Sequence, residues 1–180
     1  MIASGRIQDR VVQGKKLEKA IFDKLCESGF NLQEPSNQDD MLKKVDAWLN
    51  KDGKKVGVQI KARETGNDLL FEVYDTFFDF KHPNNKIGRD MVGSATLYAV
   101  KIKNEILVVD KKQAEEAIWE MVEEARCNGW TEQGQSKTLH YQINNRDLQL
   151  KLQQDPSDGR KKMVAYIPAD FFSVVKKITA

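Results

Sequence analysis

Only two cysteines, two histidines and four prolines occur in these 180 residues. Cys26 and Cys127 lack metal-ligand spacing and make no disulfide framework. Both fall in helical patterns, where buried or partly buried thiols in a reducing compartment are expected. His82 stands in a loop with no partner at metal spacing. No segment approaches the length of a membrane span. The start of the chain, Met1-Ile2-Ala3-Ser4-Gly5-Arg6, lacks the apolar core of a signal peptide. These absences lead to an expectation of a cytoplasmic protein, or one in the host-cell cytoplasm if phage-encoded. Repeats and low-complexity tracts are also missing. Net charge is only +2, which argues against a strongly basic nucleic-acid coat. With 40% hydrophobic and 31% charged residues, the chain has a globular composition and enough length for one real core.

Charge is unevenly spread. Lys15, Lys16, Lys19, Lys43, Lys54, Lys55, Arg63, Lys81, Lys86 and Arg89 fall in the first half of the chain. Glu115, Glu116, Glu120, Glu123 and Glu124 crowd one later helix, which is expected to face away from any phosphate backbone.

The most informative stretch is KKVDAWLNKDGKKVGVQIKARE. From Val56 onward it alternates with the period of a strand. Val56, Val58, Ile60 and Ala62 share one face; Gly57, Gln59, Lys61 and Arg63 share the other. Asn50-Lys51-Asp52-Gly53-Lys54 has strong turn chemistry, because Asp-Gly accepts positive φ. Residues 41–49 then read as the partner strand of a hairpin. Such a hairpin brings Asp46, Gln59 and Lys61 to one end of a sheet. A carboxylate, a carbonyl oxygen and an ammonium gathered there suit metal-assisted phosphodiester cleavage. The same residues also suit an ordinary cross-strand pair, worth only tenths of a kcal/mol.

Upstream, Leu17, Ala20, Ile21 and Leu25 follow helical spacing, and Gly29 is placed to end the helix. Glu18 sits at the edge of that stripe, where its carboxylate can reach the sheet.

A helix with Gly-x-x-Leu-Glu, then Asp, then a hairpin to Gln-x-Lys resembles the PD-(D/E)xK nuclease superfamily. The resemblance is closest to the Mrr-type branch, with Gln in place of the second acid, and covers about residues 6–110. It implies an α/β (α+β) restriction-endonuclease-like fold, with a central mixed sheet flanked by helices. It implies catalytic roles for Glu18, Asp46, Gln59 and Lys61. Mg²⁺, with Mn²⁺ able to substitute, would be held by Asp46, the Gln59 side-chain oxygen, the Ile60 carbonyl and Glu18. The substrate would be DNA, cut to leave 5′-phosphates by a homodimer or higher homo-oligomer. Val45 stands where the family motif has Pro. Gln59 leaves one carboxylate fewer than the standard site. Glu64 or Glu72 is a candidate to compensate.

Arg63, Arg89, Lys15 and Lys86 are the candidate DNA contacts. Asp68–Tyr74 reads as a strand, Met91–Ala95 as a short helix, and Thr96–Ile102 with Glu105–Val109 as a second hairpin. Asp110 is an expected N-cap for a helix over Lys111–Asn128. Residues 1–130 are expected to form the core, with 131–180 a β-rich extension on the same domain that ends in a helix from Pro168. A catalytically inactive nucleic-acid binding module on the same fold is the alternative reading. An α/β protein without either property is the third.

Overall fold

Alternation in the central hairpin sorts its side chains between two cores, and the rest of the fold follows from that division. The computed structural model describes residues 3–37, 44–63, 66–128, 137–154 and 159–180, with backbone alone for 3–11 and Arg63.

Helix α1 (Ala3–Glu27) is longer than the apolar stripe predicts, since nothing between Arg6 and Gln13 breaks a helix. Ile21 and Leu25 are buried; Leu17 is only partly buried and Ala20 is exposed, so the buried stripe is narrower than expected. The helix ends as predicted at Gly29, whose φ is +91°. Gly29 N–H donates to the Cys26 carbonyl and Phe30 N–H to the Leu25 carbonyl, the paired bonds of a Schellman cap.

Strands β1 (Leu32–Gln33), β2 (Ala47–Lys51) and β3 (Lys54–Arg63) follow. The β2–β3 hairpin turns on Asp52 and Gly53, at φ of 50° and 74°, as the Asp-Gly pair predicts. The strand expected over 41–49 begins only at Ala47; residues 41–43 lie outside the described residues.

Next come β4 (Asp68–Thr76), β5 (Lys86–Ile87), α2 (Arg89–Val92), β6 (Leu97–Ile102), β7 (Glu105–Asp110) and α3 (Lys111–Cys127). The short helix forms two residues earlier than predicted, ending at Gly93. Asp110 caps α3, accepting from Lys112 N–H. The last strands are β8 (Lys137–Ile143), β9 (Arg146–Gln154), β10 (Lys161–Pro168) and β11 (Val174–Thr179).

Among the described residues the architecture is α+β: three α-helices and two sheets. The first sheet runs β1-β2-β3-β6-β7-β11, and only the β3–β6 pairing is parallel. The second runs β5-β4-β10-β9-β8 and is antiparallel. Ala47, Leu49, Val58, Ile60, Ala99, Ile106 and Val108 project from one face of the first sheet onto Ile21 and Leu25 of α1. Tyr98, Val100, Leu107 and Val109 project from the other, into a larger core with the second sheet and α3. The Tyr98 hydroxyl donates to the Leu70 carbonyl at 2.9 Å and its ring stacks on Phe71, joining the two sheets.

The C-terminal segment is woven into both sheets: β8, β9 and β10 enter the second, and β11 closes one edge of the first. The helix expected from Pro168 is instead a 3-10 turn (Ala169–Phe171) followed by β11. Val174 and Val175 favour a strand, and the outer edge of β7 offers backbone partners from Val109 to Glu105. The cysteines depart from expectation too: Cys26 and Cys127 lie on helices, but both are exposed.

Candidate active site

The hairpin delivers Asp46 to the first sheet's open end. Ala47 pairs with Val58, so Asp46 stands one step further, level with Gln59 and Ile60. Its backbone N–H donates to the Val58 carbonyl at 2.9 Å, and its Oδ2 accepts from Ile60 N–H at 2.8 Å. The carboxylate is thereby fixed on the strand that carries the other motif residues.

Asp46 and Ile60 line a groove of about 390 Å³ together with Glu18, Lys15, Lys19 and Phe22 of α1, and with Glu34 and Pro35. Four of the residues singled out in the sequence, Lys15, Glu18, Asp46 and Ile60, therefore share one groove. Its lining mixes two lysines with three acids, and Lys19 pairs with Glu34 and Asp23, each at 3.1 Å. Hydrogen bonding to Glu34, then to Asp23, raises the Lys19 pKa above its ordinary value.

Gln59 and Lys61 point away from α1, as strand alternation requires. Gln59 is fully buried. Its Nε2 donates to Asp90 Oδ1 at 2.5 Å, and Lys61 Nζ lies 3.2 Å from the same oxygen. Asp90 Oδ2 accepts from the Glu72 backbone N–H at 2.8 Å. Asp90, itself fully buried, thus joins β3, β4 and α2 through one carboxylate. Gln59 Oε1 is buried without a hydrogen-bond partner among the described residues.

Arg89, the neighbour of Asp90, reaches the other way. Its guanidinium sits 2.7 Å from Asp46 Oδ1. Gly88 makes this arrangement possible. A Cβ there would stand 2.0 Å from the Glu72 carbonyl oxygen, and Gly88 N–H donates to the Val73 carbonyl at 2.9 Å. The segment can lie directly on β4 only because position 88 has no side chain.

Asp90 was missed by sequence reasoning. The available signal was the Gly-Arg-Asp run just ahead of a strand, but nothing local to it points at Gln59, 31 residues earlier. Glu72 does not supply the missing acid through its side chain, which turns to Lys162 at 3.7 Å on the second sheet. Glu64 lies outside the described residues, as does the side chain of Arg63. Lys86 is exposed on β5, at one edge of the second sheet, and pairs with Thr76. The acidic helix α3 packs on the opposite face of the first sheet from α1 and its groove.

Among the described residues no three His, Cys, Asp or Glu side chains converge on one point. The groove offers the carboxylates of Glu18 and Asp46 with Ile60 beside them, while Glu34 is held by Lys19 and the unpartnered amide oxygen of Gln59 is buried on the other face of β3. This set suits a hard cation that retains several waters, since Mg²⁺ is commonly bound through only one or two carboxylates. Compared with protein-family models, with curated proteins and with solved structures, the chain matches none.

Proposed function

We propose that this protein is a metal-dependent DNA endonuclease of the PD-(D/E)xK type. The supporting observation is the groove lined by Glu18, Asp46 and Ile60, with Gln59 and Lys61 flanking Ile60 on the same strand and pointing to its other face. Asp46, Glu18 and the Ile60 carbonyl would hold Mg²⁺ or Mn²⁺, and Gln59, buried on the other face of β3, would not reach the ion without moving. When bound, such a cation lowers the pKa of a coordinated water and neutralises phosphate charge.

The chain's own residues supply the rest. Asp46 is oriented by the Ile60 N–H, and metal binding would exchange the Arg89 guanidinium on its other oxygen for the cation. Lys61 brings a positive charge to the phosphoryl group as negative charge builds on it, and orients the attacking water. Lys15 and Arg89 would contact backbone phosphates, fixing register without reading sequence. Both strands of a duplex are cut when two copies present paired sites, so a homodimer or higher homo-oligomer is part of this reading.

The test is scission of supercoiled plasmid and of four-way branched DNA. Nicking or linearisation that needs Mg²⁺ or Mn²⁺, and that disappears in Asp46→Ala, is the expected result. The competing reading is a catalytically inactive DNA-binding module on the same fold. It draws on the neutral Gln59 and on the Arg89 guanidinium lying against Asp46. A gel shift by native protein without metal-dependent cleavage identifies it.

A further inference from the structure

We infer that Asp90 is a positioning residue of this site and supplies, from α2, the carboxylate that position 59 lacks. This rests on the nuclease reading and extends it to a residue outside the Asp–Gln-x-Lys pattern.

A fully buried carboxylate is unfavourable unless paired and hydrogen-bonded. Asp90 is held by three groups: the Gln59 amide, the Lys61 ammonium and the Glu72 backbone N–H. Two of the three belong to the motif strand. An aspartate needed only to anchor α2 would be satisfied by the backbone of β4. Instead Asp90 Oδ1 bridges Gln59 and Lys61.

The bridge has two effects. It fixes the Gln59 amide with its nitrogen toward Asp90, which turns Oε1 away as an unpartnered acceptor. It also tethers the Lys61 ammonium, whose side chain is 35% exposed and otherwise has several rotamers to choose from. Gln59 and Asp90 together therefore form one amide–carboxylate pair, with the charge on α2 rather than on β3.

Exchanging the partners tests this. In Asp90→Asn the new amide can still accept from Glu72 N–H and donate to Gln59 Oε1, but Lys61 has no anion. In Gln59→Glu two carboxylates meet in a buried pair. In the double variant Gln59→Glu/Asp90→Asn one carboxylate and one amide face each other again, reversed. The measurements are kcat and KM for Mg²⁺-dependent cleavage of the most readily cut DNA, together with thermal melts of all four proteins.

The inference predicts that Asp90→Asn lowers kcat about a hundredfold with KM within threefold and a melting temperature near native. The double variant should recover at least tenfold of that loss and melt well above Gln59→Glu. Native kcat in Asp90→Asn, or a folded double variant no more active than Asp90→Asn, overturns it. If the native protein cuts no DNA, the nuclease reading fails; the melts still decide the pairing. A double variant more stable than Gln59→Glu supports one shared carboxylate, and strictly additive losses overturn it.

Discussion

Gly88→Ala perturbs the site sharply without replacing any polar group in it. The added methyl would sit 2.0 Å from the Glu72 carbonyl oxygen and 2.6 Å from its carbonyl carbon. Both are backbone atoms of β4, which is paired on both sides in the second sheet, so the β5–α2 segment must retreat by about 1 Å. Three costs follow. Overpacking contributes about 1–3 kcal/mol. Weakening the bond from Gly88 N–H to the Val73 carbonyl contributes about 1 kcal/mol. Loosening the charge-assisted bond from Glu72 N–H to Asp90 contributes about 1–2 kcal/mol. These terms overlap, since one displacement causes all of them, and a net loss of about 3–4 kcal/mol is expected. For a chain of this size that lowers the melting temperature by roughly 6–16 °C. Urea unfolding and thermal melts measure it. Gly14→Ala serves as the control: its Cβ would meet nothing within 4 Å inside α1, and it should stabilise by about 0.5–1 kcal/mol. A Gly88→Ala protein within about 0.5 kcal/mol of native would refute the close approach of α2 to β4.

Other expectations follow from the same geometry. Arg89→Ala removes a cation from Asp46, so Mn²⁺ should bind several-fold more tightly by paramagnetic titration, while DNA affinity falls by a similar factor. Asp90→Ala leaves Gln59, Lys61 and Glu72 N–H without their buried anion and should cost about 3–5 kcal/mol in urea unfolding, far more than Asp90→Asn. The His140 ring nitrogen beside Asp147, with further bonds from Gln149 and Gln142, holds that carboxylate below the usual range. A lowered folded pKa makes Asp147 stabilising above its unfolded value, and the contribution is lost as pH falls through the folded one. NMR titration of Asp147 should show a depressed midpoint that returns upward in His140→Ala.

Features set by neighbours in sequence were legible. The Asp52-Gly53 turn, the Gly29 cap, the Asp110 N-cap and the alternation of β3 all depend on a few adjacent residues, and the structure reproduces them. That Glu18 would face the hairpin carrying Asp46 and Ile60 was also readable, because one helix stripe and one hairpin register bring the three to the lining of one groove. What depends on distant pairing was not. The segment from Val174 carries a pattern compatible with a helix, but the edge of β7 makes it a strand. Cys26 and Cys127 occupy helical patterns, and only packing shows that their faces are outward. Asp90 belongs to the site through Gly88 and β4, a contact that no local periodicity encodes.

The most direct test of the central claim is the single-turnover rate of DNA strand cleavage in Mg²⁺, with saturating protein, for the native chain, Asp46→Ala and Lys61→Ala. Metal-dependent cleavage by the native chain is expected, with a loss of about a hundredfold or more in each variant and DNA still bound. A native rate no greater than that in EDTA, or variants that cut as fast as the native chain, would contradict it.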